Sequence, residues 1–460
     1  MTPDASDFWF LPLGGTGEIG MNMNLYGHDG QWLMVDCGIT FAKQTDEEKA
    51  LGIPASAPPI QMADPEFIAE RRESLVGLII THAHEDHIGA VAHLWDQLRC
   101  PVYTTRFTAE ILSRKLQEAG LQNKVPVYIV DPAVTLDIGV FNVQWIGLTH
   151  SIPDAYALVI QTPVAKVFHT ADWKLDPTPV LGEPYSEATY RSVGEQGIDA
   201  MICDSTTANV VGHSISEAVL FTDLQKIIEK APGRVVVTCF GSNLARMKTL
   251  YDIAETCDRH IALLGRSMIN MAESAKKAGV WINQKNIVDT HYLCYLPRQS
   301  VLAIATGSQG QSRTALHRLS NDNYFDMPLE AGDTVIFSSR AIPGNEDEIQ
   351  EMIDRLESLG ITVITVENTE YLIHASGHPA IDELKMMYDW VKPTMSIPVH
   401  GEPHHIKAHA ALAKSLGVPH QQMGQNGDMY FIAPYRGIRR NAVKTGRLGL
   451  VNRKLSKIED

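Results

Sequence analysis

The sequence predicts an α/β protein of two modules, one inserted into the other. Three observations carry this. Up to residue 204 short strands recur, and several end in a histidine or an acid. From residue 208 to 370 helix and strand alternate regularly, the pattern of a parallel sheet. Beyond residue 370 the first texture returns, with histidines placed around a further strand. A length of 460 residues also favours two domains over a single core.

In chain order, residues 8–13 read as a strand, followed by the glycine-rich turn Gly14-Gly15-Thr16-Gly17-Glu18-Ile19-Gly20. That turn lacks the lysine of a nucleotide-binding loop, and residues 22–26 look like another strand rather than a helix. A hairpin at the rim of a site is expected. The next strand ends in Asp36, placed to orient a metal-bound histidine or merely to close a turn. Residues 54–65 are proline-rich and read as a loop, and residues 66–72 as a short helix.

The apolar run 75–80 is a buried strand, and Thr81-His82-Ala83-His84-Glu85-Asp86-His87 follows it directly. Three histidines and an aspartate at a strand end converge on one point. Imidazole and carboxylate suit zinc, manganese or iron better than calcium. The array offers His82 and His84 to one cation, Asp86 and His87 to a second. A polar turn with incidental histidines is the plain alternative. A helix is expected over 89–98. His150, at the end of another strand, supplies a third ligand for the first cation. Asp172 closes strand 166–169 and is the natural bridging carboxylate, because two neighbouring cations need a shared anion. Cations so held acidify water toward neutral pH and neutralise a phosphodiester oxygen as charge builds on it.

A strand is read at 200–204; the inserted pattern then places strands at 235–238, 260–264, 301–305, 334–338 and 362–366, with helices at 217–230, 244–255, 268–278 and 346–359. The six cysteines form no C-x-x-C pair, which fits buried thiols in a reduced, cytoplasmic protein. No signal peptide and no run long enough to span a membrane is expected. The net charge of −15 argues against coating nucleic acid through a basic surface, and leaves a local basic groove as the route to a polyanion.

Three further stretches narrow the reading: Asp204-Ser205-Thr206, His374-Ala375-Ser376-Gly377-His378 and Pro398-Val399-His400-Gly401-Glu402. With the histidine array, Gly265-Arg266-Ser267-Met268 and Ala305-Thr306-Gly307-Ser308-Gln309-Gly310, the chain resembles the ribonuclease J group in the β-CASP branch of the metallo-β-lactamase superfamily. The resemblance runs to about residue 435. It implies an αββα sandwich over residues 1–207 and 371–435, with a β-CASP domain inserted at 208–370. It also implies two divalent ions, Zn²⁺ or Mn²⁺. His82, His84 and His150 would hold one, Asp86, His87 and His400 the other, and Asp172 would bridge them. Asp86, Asp204 and His378 form the implied catalytic set, His378 being the proton donor to the leaving 3′-oxygen. His374 and Ser376 would grip an RNA phosphate, and Ser242, Asn243, Gly307 and Ser308 would bind a 5′-monophosphate.

The implied activity is hydrolysis of single-stranded RNA, 5′→3′ exonucleolytic, with endonuclease cleavage as a second mode. A DNA nuclease or small phosphoester hydrolase on the same scaffold is the enzyme alternative. A non-catalytic RNA-binding subunit is the other, disfavoured because no expected ligand is missing. The chain ends at Asp460 without the further C-terminal domain of the family, which leaves monomer and homodimer both open. Residues 436–460 are read as a basic tail: a solvated, partly disordered end, or an arm contacting RNA or another subunit.

Overall fold

The computed structural model describes residues 1–42, 56–342 and 344–458. Residues 54 and 55 of the expected proline-rich loop, and Pro343, lie outside the described residues.

Two sheets face each other in the first module. The larger has eight strands, ordered Gly437–Arg439, Met429–Ala433, Phe8–Gly14, Met23–His28, Gln31–Val35, Leu75–Ile79, Val102–Thr104 and Val127–Ile129. The other has seven, ordered His420–Gln421, Met395–Val399, Ala200–Asp204, Lys166–His169, Tyr156–Gln161, Phe141–Gly147 and Leu136–Ile138. Side chains alternate across a strand, so each sheet buries two faces. Phe8, Phe10, Leu33 and Ile79 of the first sheet meet Phe141, Leu158, Val167 and Ile202 of the second between the layers. Trp9, Leu11 and Trp32 point outward onto Phe67, Leu94 and Leu112 of helices. On the far side Phe168, Met201 and Val159 pack on Tyr190, Leu384 and Trp390. The result is four layers, α, β, β, α.

The inserted domain is a five-stranded sheet, all pairs parallel, ordered His260–Leu264, Val301–Ala305, Val235–Thr238, Thr334–Phe337 and Thr362–Ile364. Its strands are near-continuous apolar runs because helices cover both faces. A buried ion pair clasps the insertion to its return crossover. Arg246, in helix Leu244–Thr256, donates to Glu217 through Nε (2.5 Å) and Nη2 (3.0 Å), and through Nη1 to the carbonyls of Ser338 (2.8 Å) and Ile373 (3.2 Å).

Three expectations need correction. The helix expected over 89–98 is two helices, Glu85–Ile88 and Val91–Leu98, so the metal motif itself starts helical. Its cause is His84, whose extended backbone (φ −70°, ψ 149°) starts the turn at the N-cap position. The basic end is not a disordered tail. Arg447–Val451 and Lys454–Ile458 form a hairpin that pairs with Ile60–Ala63 in a four-stranded sheet. Asn452 and Arg453 both take positive φ (48° and 65°), which a two-residue hairpin turn of this hand requires. Its cations face acids of the same module: Arg447 binds Glu18, Arg440 binds Asp428 at 2.8 Å, and Lys457 binds Glu66 at 3.0 Å. Finally, the thiols are not all buried: Cys294 is exposed and Cys257 half-buried. The glycine-rich turn does join two antiparallel strands, as a hairpin should.

Candidate metal centre and active site

The strand ends of the first module meet at one edge of the sandwich. Two four-residue groups, His82/His84/His150/Asp172 and Asp86/His87/Asp172/His400, each bring their ligand atoms within 4.8 Å of one another. A third, Asp172/Asp204/His378/His400, adjoins them, and Asp172 belongs to all three.

The three histidines of the first group are neutral imidazoles aimed at one point, beside Asp172. His84 Nδ1 lies 3.2 Å from His82 Nε2 and 3.0 Å from His150 Nε2. The outer nitrogens are taken up by the protein. His150 Nδ1 donates to the Gly377 carbonyl at 2.6 Å, and His82 Nδ1 sits 3.1 Å from the Thr81 hydroxyl. That hydroxyl donates to Asp36, so it receives the His82 proton and leaves Nε2 with its lone pair facing inward. Burial keeps all three uncharged: it pushes His84 down to about 4 and holds His82 and His150 well below the ordinary histidine value. Three convergent lone pairs repel one another unless a cation lies between them.

The second group carries opposite charge. His87 Nδ1 donates to Asp36 at 2.7 Å, which turns Nε2 toward Asp172 Oδ2 (3.2 Å) and Asp86 Oδ2 (3.6 Å). His400 places Nε2 3.2 Å from Asp86 Oδ2 and Nδ1 3.1 Å from Asp172 Oδ1. Burial opposes the charged form of both rings, but the surrounding carboxylates win and hold them well above the ordinary value. Asp172 Oδ1 is buried and receives no hydrogen bond. Imidazole nitrogens, carboxylates and a buried carboxylate oxygen that accepts no hydrogen bond together fit a pair of transition-metal cations.

Local backbone fixes this arrangement. A Cβ on Gly38 would stand 1.7 Å from the Asp86 carbonyl oxygen, so only glycine lets the Asp36 loop press against the Asp86–His87 turn. Cys37 N donates to His87 O at 2.7 Å across that contact. His378 Nδ1 donates to Asp204 Oδ2 at 2.7 Å, and its Nε2 has no protein partner among the described residues. The same Asp204 lies 3.5 Å from His400 Nδ1. His374 is half-buried with its Nδ1 buried and unpartnered, and desolvation with Arg246 and Arg340 nearby pushes it down to about 3. It is therefore a neutral hydrogen-bonding group. Ser376 Oγ accepts from His378 N at 3.1 Å.

Ser242 and Asn243 follow strand Val235–Thr238, and Gly307 and Ser308 follow Val301–Ala305, at the carboxyl ends of the inserted sheet. Asn243 already spends its side-chain oxygen on Arg246 N (2.9 Å), which leaves its amide group. Sequence reasoning missed Asn22, whose Nδ2 donates to Asp86 O and touches His87 Nε2, both at 3.1 Å. Nothing in its local sequence marked it. Thr81 and Gly377 were also missed, although both lie inside the quoted motifs.

Comparison with known proteins decides the family. Three protein-family models match: "Metallo-beta-lactamase superfamily" over 17–192, "Ribonuclease J, beta-CASP domain" over 232–356, and "Zn-dependent metallo-hydrolase RNA specificity domain" over 364–423. Ribonuclease J of Sinorhizobium meliloti is 42% identical over 92% of this chain and 74% of its own length. The chain belongs to the ribonuclease J family. Ribonuclease J of Synechocystis is 35% identical over 91% of the chain and 64% of its own length, and that of Thermus thermophilus 35% over 91% and 73%. The chain thus spans about two thirds to three quarters of these relatives. A crystal structure of a protein of unknown function from Enterococcus faecalis shares the fold, with a TM-score of 0.62 over 92% of this chain and all of its own at 15% identity. Like other ribonuclease J proteins, the chain is a metal-dependent hydrolase of RNA. No helix among the described residues is long and apolar enough to cross a membrane.

Proposed function

We propose that the chain is a 5′→3′ exoribonuclease acting on single-stranded RNA with a 5′-monophosphate, with internal cleavage as a second mode. The observation that carries it is the double cage around Asp172, flanked by the Asp204–His378 pair. The cage would take two cations, Zn²⁺ or Mn²⁺: His82, His84 and His150 on one side, Asp86, His87 and His400 on the other, with Asp172 between. Bound there, they supply Lewis acidity and an acidified water.

The chain's own groups do the rest. Asp36 and Thr81 keep His87 and His82 in the tautomers that face the cage. Asp204 holds His378 by Nδ1, which leaves Nε2 to hand a proton to the departing 3′-oxygen. His374 and Ser376 would hold a phosphate as neutral donors. Ser242, Asn243, Gly307 and Ser308 would hold the terminal phosphate at the strand ends of the inserted domain, which supports counting from the 5′ end.

The test uses purified protein with Mn²⁺ or Zn²⁺ and matched RNA and DNA oligomers carrying 5′-phosphate or 5′-hydroxyl. Release of mononucleotides from 5′-phosphorylated RNA supports the reading. Preference for DNA, or indifference to the 5′ end, rejects it. Asp86→Ala or His378→Ala should lower the rate by at least about a hundredfold.

A further inference from the structure

The turn Asp204-Ser205-Thr206 begins at the last residue of strand Ala200–Asp204, beside the metal centre. Both oxygens of Asp204 are engaged. Oδ2 accepts from His378 Nδ1 at 2.7 Å, and Oδ1 accepts from Thr206 N at 2.8 Å and Thr206 Oγ1 at 2.7 Å. Where this carboxylate points therefore depends on how the turn is held, and the grip comes from behind it. Ser205 is fully buried, and its Oγ lies 2.8 Å from His409 Nδ1. The other ring nitrogen of His409, Nε2, lies 2.9 Å from the Tyr388 hydroxyl, which lies 2.6 Å from Ser396 Oγ. This polar row joins the turn to helix Pro403–Ser415, helix Ile381–Val391 and strand Met395–Val399.

Its hydrogens can be placed. Burial pushes His409 down to about 4, so at neutral pH the ring is uncharged and carries one N–H. Ser205 Oγ donates to the Cys203 carbonyl at 3.3 Å, so it accepts the Nδ1 proton of His409. Nε2 is then the acceptor for the Tyr388 hydroxyl, and the Tyr388 oxygen accepts from Ser396. Ser205 is thus held through Cys203, just before Asp204, and through a ring from a distant helix. Gly401 closes in as well: a Cβ there would stand 3.1 Å from Ser205 Cβ. The row runs into an apolar core, where Tyr388 packs with Met201, Cys203, Leu384 and Val391. Apolar groups of the same shape would cost the fold little. What a fully satisfied polar row adds is a fixed direction.

We propose that His409 is a positioning residue for RNA cleavage: by gripping Ser205 it fixes the Asp204 carboxylate that aims His378 at the leaving oxygen. The inference rests on the proton-donor reading of His378 above. In the cleavage step water oxygen bonds to phosphorus and the bond from phosphorus to the 3′-oxygen breaks. The proton on His378 Nε2 passes to that oxygen, the attacking water releases a proton to solvent, and solvent reprotonates His378. A sulfur in place of the 3′-oxygen leaves as a thiolate and needs no such proton, because a thiol ionises near ~8.5 and an alcohol about as reluctantly as water.

The experiment uses the full chain with Mn²⁺ and 5′-phosphorylated RNA whose first linkage carries either the ordinary 3′-oxygen or a bridging 3′-sulfur, with single-turnover rates. His409→Gln places its amide where Nε2 was and releases Ser205; His409→Asn places its amide where Nδ1 was and keeps Ser205. His409→Gln should slow the oxygen linkage by about tenfold or more and stay within about threefold of the parent on the sulfur linkage. His409→Asn should stay within about threefold of the parent on both. Ser205→Ala, which removes only the hydroxyl, should repeat the selective loss of His409→Gln. Metal analysis and thermal melting verify that each variant keeps its cations and its fold. Where His378→Ala spares the sulfur linkage, a His409→Gln that slows both linkages alike, or neither, overturns the inference and leaves the proton-donor reading standing. So does a His409→Asn as slow as His409→Gln. His378→Ala slowing both linkages equally overturns the proton-donor reading and this inference with it.

Discussion

Asp36 touches no cation position, yet it orients His87 directly and His82 through Thr81. Asp36→Asn should keep the fold and weaken metal loading roughly 10–100-fold, the usual cost of losing a partner behind a ligand. Equilibrium dialysis with metal analysis checks this. Titrating histidines act on stability as well. His409 is buried between Ser205 Oγ (2.8 Å) and Tyr388 OH (2.9 Å), and burial pushes it down to about 4, as it pushes His374 to about 3. Both are depressed in the fold, so the unfolded chain binds their protons first. Their contribution is full above the unfolded value near 6.5 and drains away as pH falls toward 4 and 3. Melting temperature should therefore drop from pH 7 to pH 5, and His409→Gln should show a shallower drop. An unchanged slope would remove His409 from the account. At this scale the histidine array was legible because three histidines and an aspartate fall within six positions. Asn22 was not, since an isolated asparagine in a strand-turn segment carries no pattern; only the fold brings it to Asp86.

Among the elements, the parallel strands were readable almost to the residue. Val235–Thr238, His260–Leu264 and Val301–Ala305 coincide with the sequence reading because a strand buried on both faces is one apolar run with abrupt polar ends. The C-terminal hairpin was hidden for the opposite reason. Arg447, Lys454 and Lys457 crowd its short strands, and their charge masked the alternation of Leu448 with Leu450 and the apolar positions Leu455 and Ile458. Leu448 is buried in the main core, so Leu448→Ala should cost about 2–3 kcal/mol, the lower end for a buried leucine. Denaturant unfolding measures it, and a cost near zero would mean the hairpin is an ornament. The helical start of the metal motif was misjudged because its cap is a histidine, a residue seldom read as an N-terminal signal. Gly38→Ala tests the contact there. The added methyl would meet the Asp86 carbonyl, so metal content should fall from two ions per chain toward one.

For the whole molecule, the clasp of Arg246 on Glu217, Ser338 and Ile373 joins the entry and exit of the insertion. Arg246→Met would strand a buried carboxylate and should destabilise the protein by about 3–5 kcal/mol. Arg246→Met with Glu217→Gln should recover part of that loss, as read by chemical denaturation. Global architecture followed from the order of motifs; the clasp did not, because its four segments are far apart in sequence.

His150 and His400 lie on either side of the inserted domain, and this bears on synthesis. A ribosome delivers His82, His84, His150 and Asp172 early, and His400 only after the whole insertion has emerged. A growing polypeptide can thus fill the first cage before the second exists. Under the proposed ligand assignment, activity would wait until the insertion has been translated and His400 has followed it.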